Sequence, residues 1–185
     1  MRIRFDNYTI ETCEEVYIPS EDSFALIDAI DKIGLSRGTF IDVGCGTGVI
    51  GIHVAKEYPA EVIFSDINPK AVRCSKKNAS INRIRGEFIL GDLLSRLSEA
   101  SYAAFNPPYL RGIPNDLYDL SWSYERSIVR FLRQLWKIKE YAFLLLTEFN
   151  SINLSSELPE GFSHELILRR TIAGESYLVY LIARE

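Results

Sequence analysis

From residue 39 onward, short apolar runs alternate with longer stretches whose apolar positions recur at helical spacing. The runs predict strands near 39–43, 61–65, 86–90, 101–105 and 140–147. The periodic stretches predict helices near 48–57, 69–81 and 123–138. Strands alternating with helices imply right-handed crossovers and a parallel sheet covered on both faces. After residue 147 the pattern changes to two strand-like runs, 163–170 and 175–184, around a turn at Ala173-Gly174, which predicts a closing antiparallel hairpin. Ahead of this unit, 2–5 and 8–10 read as a small hairpin around Asp6-Asn7. Ser20 stands where a helix N-cap belongs, with Glu21 and Asp22 in the first turn and Phe24, Leu26, Ile27, Ile30 and Ile33 as an apolar face ending near Gly34. The fold class expected is α/β with a mostly parallel sheet.

A length of 185 residues fits one domain, with 1–37 as an amino-terminal hairpin and helix and 38–185 as the core. The net charge of −4 lacks the basic footprint of a nucleic-acid binder, so nucleic acid is not an expected partner. Lys70, Arg73, Lys76, Lys77, Arg83 and Arg85 read as a solvated helix face or, alternatively, a local basic patch. Cys13, Cys45 and Cys74 are odd in number, widely spaced and free of any C-x-x-C pair, so neither a disulfide framework nor a zinc site is expected and the compartment reads as reducing. No amino-terminal stretch has signal-peptide character and no apolar run reaches about 18 residues, so a soluble cytoplasmic protein without a membrane association is expected. His53 and His164 are isolated and read as structural.

The apolar run ending at Phe105 leads into Asn106-Pro107-Pro108-Tyr109. A side-chain amide can accept from one N–H of a planar amine, and the first proline offers a carbonyl without an N–H. The two prolines stiffen the path, and Tyr109 can stack on a flat substrate. Upstream, Phe40-Ile41-Asp42-Val43 runs into Gly44-Cys45-Gly46-Thr47-Gly48 and then a helix, a junction where backbone approaches a ligand closely and helix N–H groups face it. Val49 stands where a dinucleotide fingerprint needs its third glycine, so a nicotinamide or flavin fits poorly. Asp66 and Asp92 end the next two strands, and in an open parallel sheet these ends share one crevice with Asp42, Gly44 and Asn106. Asp66 suits ribose hydroxyls and Asp92 an exocyclic adenine amine. Each feature also has a plain structural reading: a proline-rich turn, a tight strand-to-helix turn, and aspartates as helix caps or turn formers.

Together these residues resemble the class I S-adenosylmethionine-dependent methyltransferases, whose cofactor loop is an acidic residue followed by a glycine run. The segment Val16-Tyr17-Ile18-Pro19-Ser20-Glu21-Asp22-Ser23-Phe24, with Ser65-Asp66-Ile67-Asn68-Pro69-Lys70-Ala71-Val72, is similar to the HemK-like protein glutamine methyltransferases, in particular the short archaeal and eukaryotic form that modifies class I translation termination factors. The resemblance covers nearly the whole chain. It implies a Rossmann-like seven-stranded sheet and S-adenosylmethionine as cofactor, held by Ser23, Asp42, Gly44, Gly46, Gly48, Asp66, Asp92 and Leu93. Asn106, Pro107 and Tyr109 would be catalytic, and Pro108 and Leu110 would join them around the substrate amide. One departure is plain: the family's tryptophan is kept at Trp122, but the paired glycines that follow it are replaced by Ser123-Tyr124.

The implied reaction is N-methylation of a glutamine side chain on a termination factor, with 110–121 as a substrate lid. An adenine N6-methyltransferase acting on nucleic acid would use the same planar-amine clamp, and a scaffold that binds cofactor without catalysis is a third alternative. Strand 86–90, with Ile81 and Ile84 nearby, is expected at the sheet edge, where the resemblance implies a small zinc-binding activator subunit.

Overall fold

The computed structural model describes residues 1–108, 124–148 and 152–185. Tyr109, Leu110, the expected lid and Trp122 lie outside the described residues. The chain opens with strands β1 (Arg2–Arg4) and β2 (Thr9–Glu11), an antiparallel hairpin, then helix α1 (Glu21–Ile33). There follow β3 (Gly38–Val43), α2 (Val49–Glu57), β4 (Ala60–Asp66), α3 (Pro69–Ile81), β5 (Glu87–Leu90), β6 (Ala100–Phe105) and α4 (Tyr124–Leu132). A 3-10 turn at Leu135–Lys137, β7 (Ile138–Thr147), the four-residue α5 (Leu154–Glu157), β8 (Phe162–Ile172) and β9 (Glu175–Arg184) complete the described elements.

The main sheet has seven strands in the order β5-β4-β3-β6-β7-β9-β8, parallel from β5 to β7 and antiparallel at both β7/β9 and β9/β8. This is the expected architecture, closing hairpin included. The chain builds β3, β4 and β5 outward in one direction, then returns to place β6 on the other side of β3. That reversal opens a crevice between the carboxyl ends of β3 and β6, the usual ligand position in such sheets.

Strand alternation decides the two faces. Phe40 of β3 joins Phe64, Tyr102 and Phe143 with the apolar faces of α1 and α2. Ile41 and Val43 point the other way, into a second cluster with Phe105 and with Ile128, Phe131 and Leu132 of α4. Both clusters are buried, so the strand ends cannot shift register without exposing a face.

Several local expectations are corrected. Ser20 occupies the N-cap of α1 but makes no side-chain capping bond; only its carbonyl accepts, from Phe24 N at 3.1 Å. Ile33 is exposed, because the helix turns its last residue away from the core. The stretch predicted as one helix over 123–138 ends at Leu132 and finishes in the 3-10 turn, where Gln134 Oε1 accepts from Leu94 N and Lys137 Nζ donates to the carbonyls of Leu94 and Leu97. Cys13 and Cys74, 61 residues apart, form a disulfide, so the expectation of no disulfide was wrong and cysteine spacing does not argue for a reducing compartment. Sequence spacing cannot report that a loop and a helix meet in space. His53 is structural, as expected: Nε2 lies 2.8 Å from Asp31 Oδ1 and Nδ1 3.3 Å from the Tyr8 hydroxyl.

Candidate functional site

Sheet register brings the singled-out residues into one row. Val43 is level with Ser65 and with Phe105, and Ser65 with Ile89. The residues that follow, Gly44, Asp66, Leu90 and Asn106, therefore emerge side by side. A side chain built on Gly44 would stand 4.0 Å from the Asn106 carbonyl and 3.6 Å from the Phe105 ring. Gly44 has φ 67°, in the left-handed region that glycine adopts without strain, and its N–H donates to the Ser65 carbonyl at 2.8 Å. Gly46 and Gly48 continue the loop, and Gly48 leads into α2.

Two carboxylates organise the loop. Asp42 is buried and accepts from Gly51 N of α2 at 2.9 Å through Oδ2. Burial pushes its carboxyl up to about 7, against the Gly51 bond that favours the charged form, and the Asp66 charge adds to the rise. Asp66 Oδ2 accepts from Gly46 N at 3.0 Å, and its Oδ1 from Asn68 N at 2.8 Å. Burial raises the Asp66 carboxyl as well, opposed by these backbone bonds. Asp66 is thus the turn former of its plain reading and also the brace of the glycine loop. The two acids stand close enough that the charge of Asp66 opposes ionisation of Asp42.

The third strand end is built differently. Gly91 N donates to the Asp66 carbonyl at 3.0 Å, and Leu93 holds φ 52°, a left-handed conformation uncommon for a branched side chain. The Leu93 carbonyl accepts from Ser65 Oγ at 3.2 Å. Asp92 pairs with Arg130 of α4, a cation that sequence reading did not connect with it.

At Asn106 the structure adds a residue that sequence reading missed. Asn106 Nδ2 donates to Asp22 Oδ2 at 2.9 Å and lies 3.5 Å from Ser23 Oγ. Asp22 is 1% exposed; its Oδ2 also accepts from the Tyr17 hydroxyl at 3.0 Å and its Oδ1 from Ser23 N at 2.7 Å. A carboxylate oxygen accepts, so the arm of Asn106 facing Asp22 is its NH2 group. Ser23 therefore lies at the Asn106 end of the crevice. The available signal was a carboxylate in a first helical turn, which charge at a helix N-terminus explains equally well. Pro107 is buried and Pro108 half-buried.

Comparison with known proteins gives a family, two curated relatives and a structural neighbour. The methyltransferase small domain model matches residues 20–132. A release factor glutamine methyltransferase of Chlamydia trachomatis is 33% identical over 114 residues, 59% of this chain and 39% of that one. Methyltransferase HEMK2 of Homo sapiens is 31% identical over 113 residues, 56% and 53% of the two chains. The chain thus spans about half or less of the length of the curated relatives it matches. In structure, the chain is similar to one in the E. cuniculi Mtq2-Trm112 complex, described as methylating the eRF1 translation termination factor. That likeness has a TM-score of 0.74 at 25% identity and covers 92% of this chain and 99% of that one.

Proposed function

The chain belongs to the methyltransferase small domain family, and from that premise we propose that it transfers a methyl group from S-adenosylmethionine to the side-chain amide nitrogen of a glutamine in a translation termination factor. The observation that supports this reading is the Asp22–Asn106 bond, which ties the Asn106 amide at the carboxyl end of β6 to the first turn of α1.

The residues present suit the cofactor. Gly44 holds the left-handed turn that carries the loop backbone past Phe105 and Asn106, and the paired acids Asp42 and Asp66 suit a ligand carrying positive charge. Asp66 would take ribose hydroxyls through the remaining lone pairs of its oxygens, and Asp42 would hold the loop and the cationic end. The loop of Asp92 and Leu93 would flank the adenine, with Arg130 sharing Asp92. Bound S-adenosylmethionine supplies an electrophilic methyl group on a sulfonium.

An amide nitrogen is a poor nucleophile because its lone pair is shared with the carbonyl. In the proposed mechanism, Asn106 Oδ1 accepts from one N–H of the target and the Pro107 carbonyl from the other, which fixes the nitrogen on the methyl axis. Orientation of this kind can supply up to about 7–11 kcal/mol of barrier reduction in the best cases. The proton passes to water as positive charge develops on nitrogen, so no base is required beforehand. Tyr109 and Leu110 would complete the substrate contacts.

We also propose a partner. Strand β5 lies at the sheet edge, with Leu90 52% exposed and Ile81 exposed beside it, while Ile84 is half-buried against the core. An edge of this kind suits strand addition by a small zinc-binding activator subunit. Among the described residues, no helix is long and apolar enough to cross a membrane; a cytoplasmic location is proposed from the substrate.

The test is a methyl-transfer assay offering a termination factor, the same factor with its glutamine changed to alanine, RNA and DNA. Labelling of the unmodified factor alone is expected. Labelling of RNA or DNA instead would replace the glutamine reading by base methylation. Co-expression with the activator should give one co-eluting species, and separate elution with full activity of the lone chain would remove the partner.

A further inference from the structure

We propose that the Cys13–Cys74 disulfide is a site of thiol–disulfide exchange that controls the methyltransferase site, by locking or releasing the segment 13–20 that runs over the glycine loop. The disulfide joins that segment to α3, the helix directly after Asp66. Val16 packs with Cys13, Cys74 and Ala71 in a small cluster separate from the two main cores. A side chain built on Gly46 would stand 4.0 Å from both the Tyr17 carbonyl and Val16, so the strap lies against the cofactor loop. One residue further, the Tyr17 hydroxyl reaches Asp22, which holds Asn106. The strap therefore touches both ends of the site.

Its anchoring is uneven. The hairpin before it is held independently, since Asn78 of α3 and Asn82 just past its end each pair with both the N–H and the carbonyl of a β2 residue, Glu11 and Thr9 respectively. Past the disulfide, the strap meets α3 and its N-cap through the apolar contact of Val16 with Ala71 and, among the polar contacts of the described residues, the surface pair Lys70–Glu15 and a bond from Asn68 Nδ2 to the Glu15 carbonyl at 3.1 Å. Exposed ion pairs hold weakly. Glu15 moreover has φ 57°, a left-handed conformation that persists only where the surroundings enforce it. Opening the disulfide removes the covalent part of that enforcement while the hairpin stays docked.

Cys13 is part-exposed between the hairpin and exposed Glu14, whereas Cys74 is buried. A dithiol reductant can attack Cys13 Sγ: the Cys13–Cys74 bond breaks and Cys74 leaves as a thiolate, which then takes a proton. The reductant's second thiolate displaces Cys13. Two cysteine thiols and the reductant's own disulfide result, a balanced two-electron exchange.

The inference rests on the S-adenosylmethionine reading, and two measurements on the full chain separate them. With dithiothreitol, amide hydrogen exchange across 13–20 should accelerate about tenfold or more while β2 and the main sheet stay protected, and S-adenosylmethionine affinity by calorimetric titration should fall about tenfold, returning on reoxidation. Cys13→Ser should show the weakened affinity with or without reductant. Unchanged exchange and affinity on reduction, free thiols in the unreduced protein, a Cys13→Ser chain that still responds, or global unfolding on reduction would each overturn the proposal. Faster exchange with S-adenosylmethionine bound in neither state would sink the cofactor reading and with it control of that site, leaving only a redox-opened strap.

Discussion

Asn106 donates its side-chain amide to Asp22 Oδ2 at 2.9 Å although 84 residues separate the two in the chain. The bond crosses from the carboxyl end of β6 to the first turn of α1, and Tyr17 donates to the same oxygen. Burial, and after it the Asp22 charge, keeps the Tyr17 phenol protonated well beyond its ordinary range, so it remains a donor. In the proposed reaction the carboxylate decides which arm of Asn106 meets the target amine.

Asp22→Asn should therefore impair turnover more than cofactor binding. The new side chain can present NH2 to Asn106 as readily as oxygen, and a hydrogen bond to a charged group is worth roughly 1.5–3 kcal/mol, or about 10- to 150-fold. Methyl-transfer rate should drop by about that factor, with S-adenosylmethionine affinity within a few fold of wild type. Single-turnover kinetics beside calorimetric titration check the split. An unchanged rate would make Asp22 a helix-start residue only.

Asp66 calls for two substitutions because it has two jobs. Its oxygens accept from Gly46 N and Asn68 N, so Asp66→Ala leaves two partly buried N–H groups unsatisfied and should cost about 1–3 kcal/mol for each in stability. Asp66→Asn keeps one acceptor. It should lower the melting temperature less, yet weaken S-adenosylmethionine about 10- to 150-fold by losing the charged acceptor. Scanning calorimetry and titration of both variants test this; equal affinity in Asp66→Asn and wild type would confine Asp66 to shaping the loop.

These residues also show how far the sequence could be read. Asp42, Gly44, Asp66 and Asn106 were legible as neighbours because each lies at or next to the carboxyl end of a strand, and strand ends in a parallel sheet meet by topology rather than by side-chain detail. The strands and the closing hairpin followed from apolar runs for the same reason. Asp22 was not legible as a partner of Asn106, since an acid in a first helical turn already satisfies a local rule. Arg130 beside Asp92 and the Cys13–Cys74 bond depend on how α4 and the strap pack, which no spacing encodes. The end of α4 at Leu132 was missed because tertiary bonds from Gln134 and Lys137 to the 94–97 turn override a helical pattern.

Asp42 predicts a pH dependence with a definite sign. Its carboxyl stands at about 7 in the fold against 3.8 as its ordinary value. A raised acid prefers to be protonated when folded, so the folded state loses stability as pH rises from about 4 to about 7, by up to roughly 4 kcal/mol if Asp42 acted alone. The penalty is absent below that window and complete above it. Asp42→Asn, which can still accept from Gly51 N, should flatten this slope and stand more stable than wild type at pH 8. Urea unfolding at pH 5 and pH 8 measures the difference, and parallel slopes in the two proteins would assign the pH dependence to other groups.

The edge strand gives the last prediction. Leu90 is level with Asp66 on the inner neighbour β4, but its own side chain is exposed, while Phe88 of the same strand stacks on Phe64 at 4.9 Å and is anchored inward. Leu90→Lys therefore removes apolar surface and adds an edge charge without touching that stack. Stability of the lone chain should stay within about 0.5 kcal/mol, as for a surface substitution away from packed groups. Its tendency to self-associate should fall, because a lysine on an edge opposes strand pairing. Co-elution with the activator subunit should be lost if that subunit adds to β5. Size-exclusion chromatography of the co-expressed pair, beside urea unfolding of the variant alone, separates the outcomes: retained co-elution with Leu90→Lys would move the partner's surface away from this edge.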